Sequence, residues 1–240
     1  MKPLLNRPQI YTDESVEGYM YRLAQANHRE VSELELKYPT LNSEERDQFL
    51  VNLINLSRQN FSDANLLYNY RINRLTLPQW KENLYTRFCP KCLDKSAYHR
   101  IMWCLTHHTY CVTHLVYLVD CCPRCDTKTT IIDTVKGVCR CEYRLSLSNT
   151  ESIDIESGFL TNEGEFKLVQ SPFLMLKLTP TEQIKAIQRL LYCLLTKTSL
   201  EKLELSRKEI DLLAYGYYSD IKMLHFYLNF VRDLLKDWPS

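Results

Sequence analysis

The chain has 240 residues and a formal net charge of +1, which allows one or two domains with a sizeable core and argues against a free-standing DNA binder, whose affinity comes mostly from neutralised phosphates. Glycine is scarce at 5 and cysteine high at 10. Neither G-x-x-x-x-G-K-S/T nor G-x-G-x-x-G occurs, which disfavours a nucleotide-cradling loop and an ATPase role.

Along the chain, Thr12 or Asp13 is placed to cap a helix to about Asn27, because Val16, Tyr19, Met20, Leu23 and Ala26 recur at helical spacing. A second short helix is expected from Glu30 to Lys37, ended by Pro39. Asn42 followed by Glu45 resembles a capping box before Phe49, Leu50, Leu53 and Ile54, and Ser62 is placed to cap a helix carrying Leu66, Leu67 and Tyr70. Residues 1–85 therefore read as a small helical domain of helix-turn-helix type. That pattern alone says little about DNA, since most bundles of this size are packed cores.

Residues 86–147 carry two sets of cysteines with metal-ligand spacing. The first is Cys89-Pro90-Lys91-Cys92, eighteen residues, then Cys111-Val112-Thr113-His114. The second is Cys122-Pro123-Arg124-Cys125, thirteen residues, then Cys139-Arg140-Cys141. Two residues between thiolates let one tight turn aim both sulfurs at a single ion, and two such halves complete the tetrahedron that Zn2+ accepts. Cys89, Cys92, Cys111 and His114 are thus candidate ligands of one zinc ion, and Cys122, Cys125, Cys139 and Cys141 of a second. Cys104, Cys121 and Cys193 are left over as core or spare thiols. Cys121 abuts Cys122 and competes with it for a ligand role, but only Cys122 opens a C-P-x-C turn.

A disulfide framework would need an oxidising compartment and a signal peptide. Residues 1–8 hold no apolar run, and no stretch approaches the roughly 18 apolar residues of a membrane helix. The expectation is zinc in a reducing cytosol. Four protein ligands per ion leave no coordination position for water or substrate, so these ions are expected to hold a fold rather than catalyse. His107 and His108 are read as polar residues of a linker, because no nucleophile or paired carboxylate stands at fixed spacing near them.

Seven ligand thiolates (−7) and two dications (+4) would take the formal +1 to −2. Positive charge is therefore local. Arg71, Arg74, Lys81, Arg87, Lys91, Lys95 and Arg100 face only Glu82 and Asp94 between Leu66 and His114. Arg71, Arg74 and Lys81 are the candidate nucleic-acid contacts. Residues 148–172 read as an acidic linker or hairpin, with Glu151, Asp154, Glu156, Glu163 and Glu165. Residues 173–240 read as a helical extension, one helix from Thr181 carrying Ile184, Ile187, Leu190, Leu191, Leu194 and Leu195, and a last one carrying Ile221, Leu224, Leu228, Val231 and Leu235. Trp80 and Trp103 are expected near a join between helical domain and ribbons. The fold class expected overall is mainly α with small zinc-ribbon β hairpins.

Two blocks carry a resemblance. One is Asp13-Glu14-Ser15, Tyr19, Arg22-Leu23-Ala24 and Asn27; the other is Phe88-Cys89-Pro90-Lys91-Cys92-Leu93, Tyr98, Arg100, Trp103, Cys111-x-x-His114, Leu118 and Cys122-Pro123-x-Cys125. Together they resemble the TniQ family, related to the TnsD targeting subunits of Tn7-like transposons, over roughly the first 145 residues. The resemblance implies a targeting adaptor without catalytic chemistry, which reads DNA or docks on an RNA-guided CRISPR effector, with guide RNA as a further contact, and recruits the AAA+ ATPase TnsC. The chain is too short for the extended C-terminal region of long TnsD-type members, which favours the effector-associated type. A zinc-dependent, sequence-specific DNA-binding regulator is the alternative. A metal-dependent nuclease ranks third, because it needs the open coordination position that both donor counts deny.

Overall fold

The structure is a computed structural model that describes residues 3–34, 36, 43–59, 85–104, 108–153, 221–222, 224–226 and 229, with 43–47 and 104 described by backbone alone. Pro39, the Asn42–Glu45 box, the helix from Ser62, Trp80, most of 148–172, the helix from Thr181, and Leu228, Val231 and Leu235 lie outside the described residues.

Helix α1 spans Val16–Ala26 and is capped by Ser15, whose Oγ accepts from the Gly18 amide at 2.9 Å. The cap falls two or three residues later than Thr12 or Asp13 because the Asp13 carboxylate is engaged elsewhere, by the Tyr98 hydroxyl at 2.6 Å and by Arg100 at 3.3 Å. The expected helix from Glu30 is a single 3-10 turn, Val31–Leu34. Helix α2 spans Ser43–Ser57. Its Phe49, Leu53 and Leu56 join Val16, Tyr19, Met20, Leu23, Ala24, Leu34 and Leu4 in one core. The buried stripe is set by spacings of four and three, so Ile54 faces outward at 36% exposure while Leu56 is buried. Asn27 ends α1 and ties back the incoming N-terminal segment, exchanging hydrogen bonds with the Asn6 backbone at 3.0 and 2.6 Å.

The cysteine region is built from short pieces. Helix α3, Pro90–Lys95, starts immediately after Cys89 with proline in its first turn. Strands β1, Tyr110–Cys111, and β2, Val116–Tyr117, form an antiparallel hairpin. Residues 150–153 add to its outer edge through Tyr117 N to Glu151 O and Ile153 N to Leu115 O, both 2.9 Å. Helix α4, Ile131–Lys136, has a reciprocal capping box between Thr130 and Asp133 and ends on Gly137 at φ 71°. Phe88, Leu93, Trp103, Val116, Leu118 and Leu145 pack with cysteines from both quartets in one core. The two ribbons are thus a shared-core unit rather than separate clamps.

The helical part is joined to this unit by backbone as well as side chains. Ser15 N bonds to His99 O at 3.0 Å and Ile101 N to Asp13 O at 2.9 Å, and Glu14 pairs with Arg100 in an antiparallel bridge. His99, fully buried, has Nδ1 2.7 Å from Ser15 Oγ and Nε2 2.7 Å from Thr86 Oγ1. Trp103 lies edge-on to that imidazole at 5.8 Å, which puts it near the join as expected. Glu14, also fully buried, takes a forked pair from Arg22 at 2.7 and 3.0 Å. Burial raises its carboxyl to about 7 against the pull of that guanidinium.

Helical residues near 221–229 pack on the hairpin. Leu224 is buried, Ile221 rests on the cysteine core, and His225 Nδ1 is 2.8 Å from Thr109 Oγ1. The His225 ring stands edge-on to Tyr110 and Tyr117 at 5.4 and 5.3 Å. Lys222 reaches Glu151 at 2.6 Å. Among the described residues no helix is long and apolar enough to cross a membrane.

Candidate metal centres

The eight sequence-predicted ligands fall into two groups. Cys89, Cys92, Cys111 and His114 form one, Cys122, Cys125, Cys139 and Cys141 the other, and in each the donor atoms lie within 4.8 Å of one another. In the first, Cys92 and Cys111 sulfurs are 3.6 Å apart, and His114 Nδ1 is 3.4, 3.4 and 3.5 Å from the sulfurs of Cys89, Cys92 and Cys111. In the second, Cys122 to Cys141 and Cys125 to Cys139 are both 3.6 Å. Ligands about 2.3 Å (sulfur) and about 2.0 Å (nitrogen) from a tetrahedral ion have edges of roughly 3.5 to 3.8 Å. The donors fit one ion per group.

Backbone conformation supports the same reading. Leu115, Asp126 and Glu142 all adopt left-handed φ, at 52°, 52° and 66°, and each directly follows the last donor of a half-site. Each amide turns back onto the carbonyl of the preceding donor, Cys111, Cys122 or Cys139, at 2.8 Å. A bulky residue such as Leu115 pays about 1–3 kcal/mol to sit there, and coordination of the two donors it folds together offsets that strain.

Electrostatics point the same way. Hydrogen bonding from Cys89 and Cys92 draws the Cys111 thiol far below its usual range, while the same contacts push Cys89 up to about 11 and Cys92 higher still. Three sulfurs this close share one negative charge unless a cation sits among them, so loading with a dication releases protons. In the second group the Thr127 hydroxyl, 3.0 Å from Cys125, holds that thiol down to about 6. His114 Nε2 is buried and has no partner among the described residues, which leaves Nδ1 as its coordinating atom. An ion held by four protein donors would have a shell closed to substrate, and its chemistry would be cross-linking.

Other residues singled out in the sequence are placed differently. Cys121 is outside both groups and half-buried. His108 does lie in the irregular segment leading into β1, but it is buried, stacks on Tyr110 at 6.4 Å, and burial lowers its imidazole to about 3. Arg87, counted among the basic stretch, is also buried, and donates from Nη1 to the His108 carbonyl at 3.2 Å. Burial brings its guanidinium down to about 10, with Asp120 opposing. His107, Arg71, Arg74 and Lys81 lie outside the described residues. Sequence reasoning missed His99 and Arg100 as joints, although both stand in the H-R pair beside Tyr98.

Residues 5–118 match the family model TniQ. Over that stretch the chain is similar to the TniQ family. No curated protein matches it. The TniQ match takes in the helical core, the join and the whole first donor group, and ends before Cys122. Its quoted motif residues do structural work here: Ser15 caps α1, Glu14 and Arg22 pair beneath the join, Tyr19 donates to the Pro8 carbonyl at 3.0 Å, and Asn27 closes α1.

Proposed function

We propose that this chain is a non-catalytic targeting adaptor in DNA transposition. It links a target-site complex, an RNA-guided CRISPR effector, to the AAA+ regulator TnsC, and so directs insertion. The observation that carries the reading is the TniQ match over residues 5–118. Both donor groups have four protein donors, so each metal is structural, and sulfur-rich tetrahedral sets of this kind suit Zn2+. The near-neutral charge suits a protein whose main contacts are other proteins.

The physical role of the ions follows from burial. A metal-clamped module of about 60 residues has little apolar surface to bury by itself. Two ions and the shared cysteine core stiffen it, and the Ser15–His99 contact and the Glu14–Arg100 bridge fix the helix-turn-helix-like part upon it. The result is a rigid surface on which two partners are held at a set spacing. Arg71, Arg74 and Lys81 are proposed phosphate contacts in the assembled complex, adding affinity without sequence choice. The site of action is the bacterial cytoplasm, at the nucleoid.

The test is a pull-down with the cognate AAA+ ATPase, with and without DNA, beside a titration of bare duplex at two salt concentrations. The adaptor retains the ATPase and binds bare duplex weakly. Tight, sequence-selective binding to bare duplex with no ATPase contact overturns this reading in favour of a zinc-dependent regulator.

A further inference from the structure

The β1–β2 hairpin is a narrow plate whose two faces serve different neighbours. Tyr110 and Tyr117 are cross-strand partners, as are Cys111 and Val116, so each pair projects from one face. Cys111 and Val116 are buried in the core that holds Cys89 and Cys92, and His114 stands in the turn between the strands. The hairpin therefore carries half of the first donor group. Its opposite face carries the two tyrosine rings. The His225 imidazole stands edge-on to both, with Nδ1 2.8 Å from Thr109 Oγ1.

The helical segment that supplies His225 is patterned to reach this face. Ile221, Leu224 and His225 fall at spacings of three and four, on one side of a helix. Leu224 is buried, and Ile221 rests on the cysteine core. From the flank, Lys222 reaches Glu151, whose carbonyl accepts from the Tyr117 amide at the outer edge of the hairpin. The segment lies beyond the stretch that the family model matches, while the hairpin it covers lies within it.

A two-stranded hairpin is at best marginally stable by itself in water. This one has two residues per strand and Leu115 at φ 52° in its turn, so its shape is set by what grips it. An ion in the first donor group and the helical segment grip it from opposite faces, and both favour the same conformation. Two ligands that favour one conformation strengthen each other's binding reciprocally.

We propose that the segment carrying Leu224 and His225 is a clasp on the first metal centre: docked, it holds the hairpin in the shape that presents Cys111 and His114, and departure of that ion releases it. Leu224 and His225 act through the hairpin, as positioning residues. The proposal rests on the first donor group holding a metal, so the metal content of the wild-type chain is measured first. Fewer than two ions per folded chain overturns that metal reading, and this proposal with it.

The experiment uses the full chain loaded with zinc, with the chromophoric chelator pyridylazoresorcinol as competitor. Leu224→Ala is expected to surrender one of its two ions about 5- to 150-fold more readily, the usual range of coupling between sites, the other being held as in wild type. Cobalt in place of zinc identifies the ion lost, because a shell of three sulfurs and an imidazole absorbs at shorter visible wavelength than one of four sulfurs. The band of the mixed shell is expected to fade first. His225→Ala is expected to act in the same direction, and His225→Asn, whose amide reaches Thr109 in place of Nδ1, to recover part of the retention. Where Leu224→Ala fails to fold, the two His225 variants carry the test. In the reverse direction, removing the first ion from the wild-type chain is expected to speed hydrogen exchange at the amides of Leu224, His225 and Phe226 by a similar factor, a response that packing alone does not require. Unchanged retention in the variants, equal loosening of both ions, or exchange in the segment indifferent to the first ion overturns the proposal.

Discussion

Gly18 and His99 approach so closely that a Cβ on Gly18 would stand 2.8 Å from the His99 Cβ and 3.3 Å from its carbonyl oxygen. Neither neighbour is the far end of a flexible chain. His99 is held at both ring nitrogens, by Ser15 and Thr86, so it has little freedom to retreat. The absence of a side chain at Gly18 is what lets α1 lie on the cysteine unit.

Gly18→Ala sets two effects against each other. Alanine gains about 1 kcal/mol of helix propensity over glycine, whereas overpacking a fixed contact costs about 1–3 kcal/mol. Net destabilisation is expected, read as a lower denaturant midpoint at unchanged slope. A midpoint at or above wild type would show that the imidazole moves aside.

His99 also carries a pH signature. Burial lowers its folded pKa to about 3 from an ordinary 6.5, so the unfolded chain takes up the proton first and the stability tied to this group is complete above about 6.5 and lost as pH falls toward 3. Glu14 acts in the opposite sense: its pKa is raised from 4.5 to about 7, so its contribution declines as pH rises through that window. The two overlap in a global melt, and the check is residue-specific. The His99 ring signals in a carbon-13 spectrum should stay those of a neutral imidazole from about pH 8 to about pH 5. Titration near the ordinary value in the folded protein would contradict the interlock.

Metal analysis should give two zinc ions per folded chain. Cys89→Ser is expected to lose the first outright and, because cysteines of both groups share one core, to loosen the second as well. Coordination is coupled to folding here, so the readout is lost tertiary structure across residues 86–147 rather than a changed rate. A variant that keeps two ions and a native spectrum would dismiss Cys89 as a ligand.

Leu224→Ala, at a fully buried position next to His225, which bonds to Thr109, should weaken docking of this helical segment by about 2–4 kcal/mol. Lys222→Ala, by contrast, removes an ion pair that is more than half exposed at both ends and should cost under about 1 kcal/mol. Hydrogen exchange at the amides of residues 109–117 separates them: faster in the first variant, near wild type in the second.

The donor groups were legible in the sequence because a metal dictates ligand type and spacing locally, over two to four residues at a time. Helix α1 was legible for the same reason, since Val16, Tyr19, Met20 and Leu23 repeat on one face. Its cap was misplaced because Asp13 is a good capping residue by type, yet its carboxylate is taken by Tyr98 and Arg100, 85 and 87 positions away. Helix α4 had a readable signature in Thr130, Asp133 and Gly137, obscured by the expectation of hairpins alone. Arg87 shows the general limit. A basic residue in a basic stretch reads as surface until tertiary packing reveals the carbonyl it serves.

The contact between Thr109 and His225 closes a span of 116 residues. During synthesis at about 5–20 residues per second, the β1–β2 hairpin leaves the ribosome on the order of 5–20 seconds before the segment that covers it. For that interval the Tyr110 and Tyr117 rings lack the His225 imidazole that packs edge-on against them. Early metal capture would set the hairpin before its cover arrives, so zinc supply while translation is under way, rather than after release, should govern the yield of correctly folded protein.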